Sequence, residues 1–398
     1  MNAFKDKNFR FIDLFAGIGG IRIAFERQGG RCVMTSEIDK WARETYRAYF
    51  NDPDGHVFNE DITSIEPDDV PDHDVLTGGF PCQPFSLAGV AKKNSLGRAH
   101  GFDDPNKGNL FFYIQRILKE KKPRAFLLEN VKNLRSHDKG RTWKVIQALL
   151  SEAGYVFTDQ TIDAARVVPQ HRERIFIVGF NREHFDLPEY LDWSGFWDEV
   201  EQGLVIEKTR LRKRYSKSVD ETIVEWPLVK YILEPHENVP EKYTLTPNLW
   251  RYLREYKAKH QALGNGFGCS VFTGEERYTR TISARYYKDG SEVLINQGEK
   301  KRPRRLTPYE SAQLQGFPED FLRMFNREDD GYFQPVSDTQ AYKQFGNSVC
   351  VPVVTAIAKT MDRYLREPEL LKQLPHAAPP EEQLQLDGIP SLMAQIGR

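Results

Sequence analysis

Cys82 stands in the run Gly78-Gly79-Phe80-Pro81-Cys82-Gln83-Pro84-Phe85-Ser86, directly after a short strand-like stretch, Asp74 to Thr77. Prolines limit backbone freedom and the glycine pair gives access, which suits an aimed thiolate acting as a nucleophile. A free cysteine is more often a small buried hydrophobe, and Cys32, Cys269 and Cys350 read that way. Glu129-Asn130-Val131 ends the buried strand that starts at Ala125. A carboxylate there is either an ion-pair anchor or, with a raised pKa, a proton donor. Gln170-His171-Arg172-Glu173-Arg174 leads into another apolar strand. Its arginines form either a solvated charge cluster or a pair that orients a carboxylate or a substrate.

A second group of residues suits a cofactor. The run Ala16-Gly17-Ile18-Gly19-Gly20 joins a strand to a helix, and glycines at such a turn let the backbone approach a ligand closely. Glu37, 20 residues after Gly17, ends the next strand, where an acid accepts hydrogen bonds from ribose hydroxyls. A dinucleotide fingerprint needs a third glycine at position 22, which is Arg22. The turn therefore suits a nucleoside without a pyrophosphate better than a nicotinamide cofactor.

The elements that must position these groups alternate. Phe9 to Phe15 reads as a buried strand, Gly19 to Gln28 as a helix, Arg31 to Ser36 as a strand and Lys40 to Phe50 as a helix. Leu110 to Lys121 and Thr142 to Glu152 are helical; Tyr155 to Ile162 and Arg174 to Val178 are strand-like. This predicts an α/β fold with a mostly parallel sheet covered on both faces. In such sheets ligands bind beyond the carboxyl ends of the strands, where the thiol and the carboxylate fall. Residues 181–300 lose the alternation and mix tryptophans, basic residues, Thr and Gly, which predicts a second, irregular domain. The segment 301–370 returns to helical periodicity and ends in the helix Ser348 to Leu365. Residues 371–398, Pro-rich and polar, are expected to form a loose tail. The long Gly-, Lys- and Asn-rich stretch Leu87 to Gly108 fits a lid better than a connector.

Charge narrows the partners. Fifty-six Lys and Arg against 57 Asp and Glu exclude a uniformly polycationic coat. The charges are segregated, however: residues 52–74 hold nine acids and no Lys or Arg, and 116–144 hold ten cations against three acids. Shorter basic runs follow at Lys208 to Lys217 and Lys300 to Arg305. Each run taken singly is a solvated face as readily as a site. Together they suit one side of a cleft that binds a polyanion through its phosphates. Four scattered cysteines without a CxxC pair exclude a disulfide scaffold and an all-cysteine zinc site, and no metal is expected. No apolar run approaches the roughly 20 residues of a bilayer span, and the start has no signal-peptide pattern. An intracellular, cytoplasmic protein with no membrane partner is expected.

In this order, the pieces resemble the cytosine-C5 DNA methyltransferases over nearly the whole chain. Asp13-Leu14-Phe15-Ala16-Gly17-Ile18-Gly19-Gly20 is similar to the family's S-adenosylmethionine turn, and Gly79-Phe80-Pro81-Cys82-Gln83 to its nucleophile motif. Glu129-Asn130-Val131 resembles the acid motif and Gln170 to Arg174 the arginine motif. Arg304-Arg305-Leu306-Thr307 through Gln315-Gly316-Phe317-Pro318 resembles the segment after the recognition domain, and Gln344-Phe345-Gly346-Asn347-Ser348-Val349 the final motif, which folds back on the cofactor. The resemblance implies a Rossmann-like methyltransferase domain (1–180 and 301–370) and a target recognition domain at 181–300.

It also implies roles. Cys82 is the nucleophile; Glu129, Arg172 and Arg174 assist, with Arg172 orienting the base. S-adenosylmethionine lies against Phe15, Ala16, Gly17, Gly19, Gly20, Glu37 (ribose), Ile38, Trp41, Asp61 (adenine amino group), Ile62, Gly79, Pro81, Asn347, Ser348 and Val349, and leaves as S-adenosylhomocysteine. The partner is double-stranded DNA, with the target cytosine flipped out of the stack. Gln83, Ser86, Gly266, Arg280, Thr281 and Arg285 are the expected DNA contacts, drawn from the loops Gly264–Cys269 and Thr279–Gly290. Those loops look closest to Dcm-type enzymes, which implies methylation of the inner cytosine of CC(A/T)GG. A monomer acting on the nucleoid is expected, within a restriction-modification context. Gln383 to Asp387 resembles the short peptides that dock on replication clamps.

Three rival readings are weaker. A transfer-RNA cytosine methyltransferase is disfavoured by the large recognition region and by Phe80. A non-catalytic DNA-binding protein would sit better with Ser or Ala at position 82. A nicotinamide oxidoreductase is disfavoured by Arg22.

Overall fold

The computed structural model describes residues 9–52, 54–82, 110–215 and 228–378, with the backbone alone for 205–215. The expected lid at 87–108, the contacts Gln83 and Ser86 and the peptide at 383–387 lie outside the described residues. So do the side chains of the basic run 208–217.

Seven strands form the main sheet: β1 (Arg10–Leu14), β2 (Arg31–Ser36), β3 (Val57–Asn59), β4 (Val75–Gly79), β5 (Ala125–Val131), β6 (Tyr155–Asp163) and β7 (Glu173–Asn181). Their order is β3-β2-β1-β4-β5-β7-β6. The pairings β1–β2, β1–β4, β2–β3 and β4–β5 are parallel, as crossover helices demand, whereas β7 runs antiparallel to both β5 and β6. The reversal follows from the chain: β6 and β7 are joined directly by residues 164–172, too few for a crossover helix. Its consequence is positional. The start of β7, with Arg174 opposite Val131, lies beside the end of β5 at the edge where β4 also ends.

The longer helices are α1 (Gly20–Glu26), α2 (Lys40–Tyr49), α3 (Phe111–Lys121), α4 (Arg141–Glu152), α5 (Ser194–Tyr215), α6 (Pro247–Ala262), α7 (Pro308–Leu314), α8 (Asp338–Asn347) and α9 (Val351–Arg366). One sheet face buries Ile12, Leu14, Leu76 and Leu128 against Ile114 and Leu118 of α3 and Ile146 and Leu150 of α4. The other buries Phe11, Val75, Leu127 and Val178 against Phe25 of α1 and Ile357 and Met361 of α9. Burial on both faces explains why these strands read as continuous apolar runs.

Two expected boundaries move. The change of domain expected at 181 is not a change of packing: Trp193, Phe196, Trp197, Val200 and Leu204 share one core with Phe180, Ile357 and Tyr364 of the sheet layer. Gly203 lets α5 approach α9 closely, since a Cβ there would lie 3.3 Å from the Ala356 Cβ. Of the tryptophans behind that expectation, Trp193 and Trp197 belong to the contact between α5 and the sheet layer, whereas Trp250 packs beside Leu253 of α6 and Trp226 lies outside the described residues. Likewise the loose tail does not begin at 371. Leu371 and Leu374 are buried in that core, and Asp192 N–H donates to the Pro375 carbonyl over 2.8 Å.

The segment 228–300 carries α6 and two strands of a small three-stranded sheet, β8 (Val271–Phe272) and β9 (Leu294–Ile295), which β10 (Arg304–Arg305) completes. Val229, Ile232, Ile282, Tyr286 and Val293 share a core with Leu306, Phe317 and Phe345 of the returning segment and with Ile18 of the cofactor turn.

One polar row crosses the sheet interior. Asp13 is in register with Thr35 on β2 and Thr77 on β4. It is wholly buried; Oδ1 accepts from Thr77 Oγ1 at 3.2 Å, and Oδ2 has no partner among the described residues. Burial pushes its pKa up to about 7, so the folded chain keeps this carboxyl protonated in a range where the unfolded chain has ionised it. Stability is therefore expected to fall as pH rises from about 4 to about 7. Asp13→Asn should remove that slope and stabilise the protein at pH 8 by on the order of a few kcal/mol, measured by urea unfolding across pH.

Candidate active site

The turn after β1 is shaped by left-handed backbone: φ is +55° at Phe15, +56° at Gly17 and +82° at Gly19. A Cβ on Gly19 would lie 2.2 Å from the Phe50 ring, so only glycine fits there. A Cβ on Gly17 would meet nothing within 4 Å; it would project into open space. Glu37, at the end of β2, accepts from Gly17 N–H through one oxygen and from Asp39 N–H through the other, each over 2.7 Å. Each oxygen keeps a further lone pair for a hydroxyl. Burial pushes its pKa up, against these two bonds.

The turn opens into a cavity of about 340 Å³ whose wall holds Phe15, Ala16, Gly17, Gly20 and Glu37. Gly79, Pro81, Cys82, Glu129 and Arg174 from the ends of β4, β5 and β7, and Asn347, Ser348 and Val349, line the same cavity. Val349 packs so tightly on the turn that a Cβ on Gly20 would lie 2.8 Å from its Cγ2. The donor set fits a nucleoside-bearing cosubstrate: an acid for a ribose, glycine backbone where bulk is excluded, and exposed apolar side chains, Ile38 and Trp41, beside the acid.

Cys82 is half-buried, and burial pushes its thiol pKa up. Glu129 lines the same cavity, 3.0 Å from Arg174 Nε through Oε1. A Cβ on Gly79 would lie 3.2 Å from its Oε2, so the second glycine of the pair is what admits the carboxylate. Burial raises the pKa of Glu129, outweighing Arg174 and Arg172, which favours a carboxyl able to carry a proton. The other three cysteines are free and buried, and burial pushes Cys32 and Cys350 up to about 12. They are inert core thiols.

Arg172 is placed otherwise than expected. It is 1% exposed and absent from the cavity wall; its guanidinium donates to the carbonyls of Ile282 (3.2 Å), Gly346 (2.9 Å) and Ser348 (2.5 Å). Arg174 alone of the pair faces the cavity. Arg172 precedes β7 and turns inward, while Arg174, on the strand, turns to Glu129.

Gly19, in the turn itself, and Ile38, Trp41, Asp61 and Ile62 are not on the wall. Asp61 caps the short helix Ile62–Ser64 by accepting from Thr63 N–H at 2.9 Å. Gly266, Arg280, Thr281 and Arg285 lie apart, in the 228–300 segment. Sequence reasoning overlooked Lys343 and Asp39, which pair over 3.3 Å at the wall. It also gave Asn130 no role. The Asn130 amide donates to the Phe80 carbonyl over 2.8 Å while its oxygen accepts from Val131 N–H. This ties the Phe80-Pro81-Cys82 run to β5. Asn130→Ala should cost about 10-fold to 10²-fold in turnover, with S-adenosylmethionine affinity nearly unchanged, because a small displacement of the thiol is costly. Single-turnover kinetics with cofactor titration would measure both.

The chain is similar to known proteins over most of its length. The model of the C-5 cytosine-specific DNA methylase family matches residues 9–363. The chain is 44% identical over 408 residues to a DNA-cytosine methyltransferase of Escherichia coli K12, covering 92% of this chain and 80% of that one. It is 46% identical over 356 residues to the type II methyltransferase M.NlaX of Neisseria lactamica, covering 89% and 96%. Among solved structures, S. pombe Dnmt2 methyltransferase shares the fold, with a TM-score of 0.62 at 18% identity over 91% of this chain and 99% of that one. The chain belongs to the C-5 cytosine-specific DNA methylase family and is a DNA (cytosine-5-)-methyltransferase.

Proposed function

We propose that Cys82 adds covalently to a flipped-out cytosine, and that the site methylated is the inner cytosine of CC(A/T)GG. The observation that carries the mechanism is the meeting of Cys82, Glu129 and Arg174 in the one cavity that Glu37 and the glycine turn also line.

Carbon 5 of cytosine is a poor nucleophile until electrons are pushed into the ring. The Cys82 thiolate forms a bond to carbon 6, and the displaced pair is held toward N3, where Glu129 donates its proton or a hydrogen bond. Arg174 holds Glu129 in place and presents a cation to the ring carbonyl. S-adenosylmethionine supplies the methyl group to carbon 5 and leaves as S-adenosylhomocysteine. Loss of the carbon-5 proton then returns the pair to the ring, and the bond from Cys82 to carbon 6 breaks. A base inside a duplex cannot reach a thiol in a cavity, so the nucleotide swings out, at a cost of roughly a few kcal/mol.

The sequence preference rests on the loops 264–269 and 279–290, which lie side by side: Arg280 Nη1 donates to the Gly268 carbonyl at 3.2 Å. The test is methyl transfer from labelled S-adenosylmethionine to duplex DNA and to transfer RNA, followed by bisulfite sequencing. Conversion-resistant cytosines confined to CC(A/T)GG support the reading. A different duplex motif overturns the site, and label on RNA alone overturns the substrate.

A further inference from the structure

An exposed aromatic row along the recognition segment has no part in the chemistry above. Ring centroids of Tyr252 and Tyr256 lie 6.0 Å apart, Tyr256 and His260 4.3 Å, and His260 and Phe267 5.5 Å. The first three repeat every fourth residue on one face of α6; the last stands on the loop that follows. Phe267 is 63% exposed, a costly place for a large apolar ring.

The loop is pinned at both ends. Gly264 turns the chain at φ +73°, Asn265 N–H donates to the His260 carbonyl at 3.1 Å, and Asn265 Oδ1 lies 2.8 Å from His260 Nδ1. At the other end Gly268 sits at φ +141° on the Lys257 stem, where a Cβ would be 2.7 Å from Cγ, and its carbonyl takes the bond from Arg280. Arg280 lies between Thr279 and Thr281, which bond to the backbone of Pro169 and His171, just ahead of Arg174. One connected framework therefore runs from the catalytic wall to the tip that presents Phe267. The helix that leads to the tip, α6, carries Arg251, Arg254, Lys257 and Lys259 against the single acid Glu255, and the Lys257 stem lies against Gly268. An apolar tip that follows a cationic helix complements a polymer with phosphates outside and base faces inside.

We propose that Phe267 enters the duplex and packs against the bases of the recognised site as an apolar wedge, a specificity-determining contact that rests on the DNA reading above. The test uses the full chain and Phe267→Ala, with the duplex that bisulfite sequencing of the wild-type product identifies. The expected result is a rise of roughly ten-fold in KM for that duplex and weaker discrimination against a one-mismatch site. Thermal midpoint, cofactor affinity and the slope of log affinity against log salt should stay unchanged, because the ring touches no phosphate. An alanine variant with unaltered KM and site preference overturns the wedge; so does a lowered midpoint or a flattened salt slope. If the wild type itself methylates no duplex, the reading beneath fails instead, and the two failures are thereby told apart.

Discussion

Cys82→Ser is expected to lose methyl transfer to duplex DNA by roughly 10⁴-fold or more, the scale on which enzymes lose turnover when their nucleophile is removed. A serine hydroxyl fits the same space, so the fold and the cofactor cavity should persist, and S-adenosylmethionine should bind with unchanged affinity. The distinction between a nucleophile and a mere wall residue lies in the adduct. With 5-fluorocytosine at the target, no proton can leave carbon 5, and the wild type should remain bonded to DNA through denaturation; Cys82→Ser should not. A serine variant that still forms a denaturation-resistant complex would remove Cys82 from the mechanism.

Glu129→Gln is expected to slow methyl transfer by about 10²-fold to 10⁴-fold, the usual span of a general acid. Glutamine keeps the shape and a hydrogen-bond donor but cannot deliver a proton. The pH profile carries the sharper information. Burial raises both groups: the Cys82 thiol gains its reactive form as pH rises, and the Glu129 carboxyl loses its proton as pH rises. A rate that needs thiolate and carboxyl together passes through a maximum. In Glu129→Gln the alkaline decline should vanish and the rate should climb monotonically with the thiolate fraction. A wild-type profile identical in shape to that of the variant would show that no proton from Glu129 is used.

Much of this site was legible in the sequence because its chemistry is local. A thiol between Pro81 and Gln83 after two glycines, and a carboxylate at the end of an apolar strand, announce both the group and the sheet edge that bears it. What was not legible depends on packing between distant segments. The spacing of Arg172 and Arg174 does not say which enters the cavity; that is decided by carbonyls of Ile282, Gly346 and Ser348, more than a hundred residues away. The strand β3 is three residues long, too short for a period to register. The tryptophans at 193 and 197 signalled a change of composition, but composition does not record which surface an aromatic faces, and both pack into the core of the sheet layer.

The joint between the catalytic unit and the recognition segment has a property that bears on evolution. Gln170 accepts from Ile282 N–H and Arg172 donates to the Ile282 carbonyl; Thr279 exchanges backbone hydrogen bonds with Pro169 and His171; Gly346 packs directly on the Ser283 backbone. Every one of these contacts meets main chain on the 228–300 side, which every residue type supplies equally. These hydrogen bonds are therefore blind to the letters they hold, while the side chains of Ile282 and Tyr286 anchor the same joint in the core. If the flanking loops read DNA as proposed, their exposed side chains can drift, and with them the word that is read, while the backbone joint stays in place. A toolkit of new specificities can arise on such a hinge by exchanging loops rather than by rebuilding the enzyme.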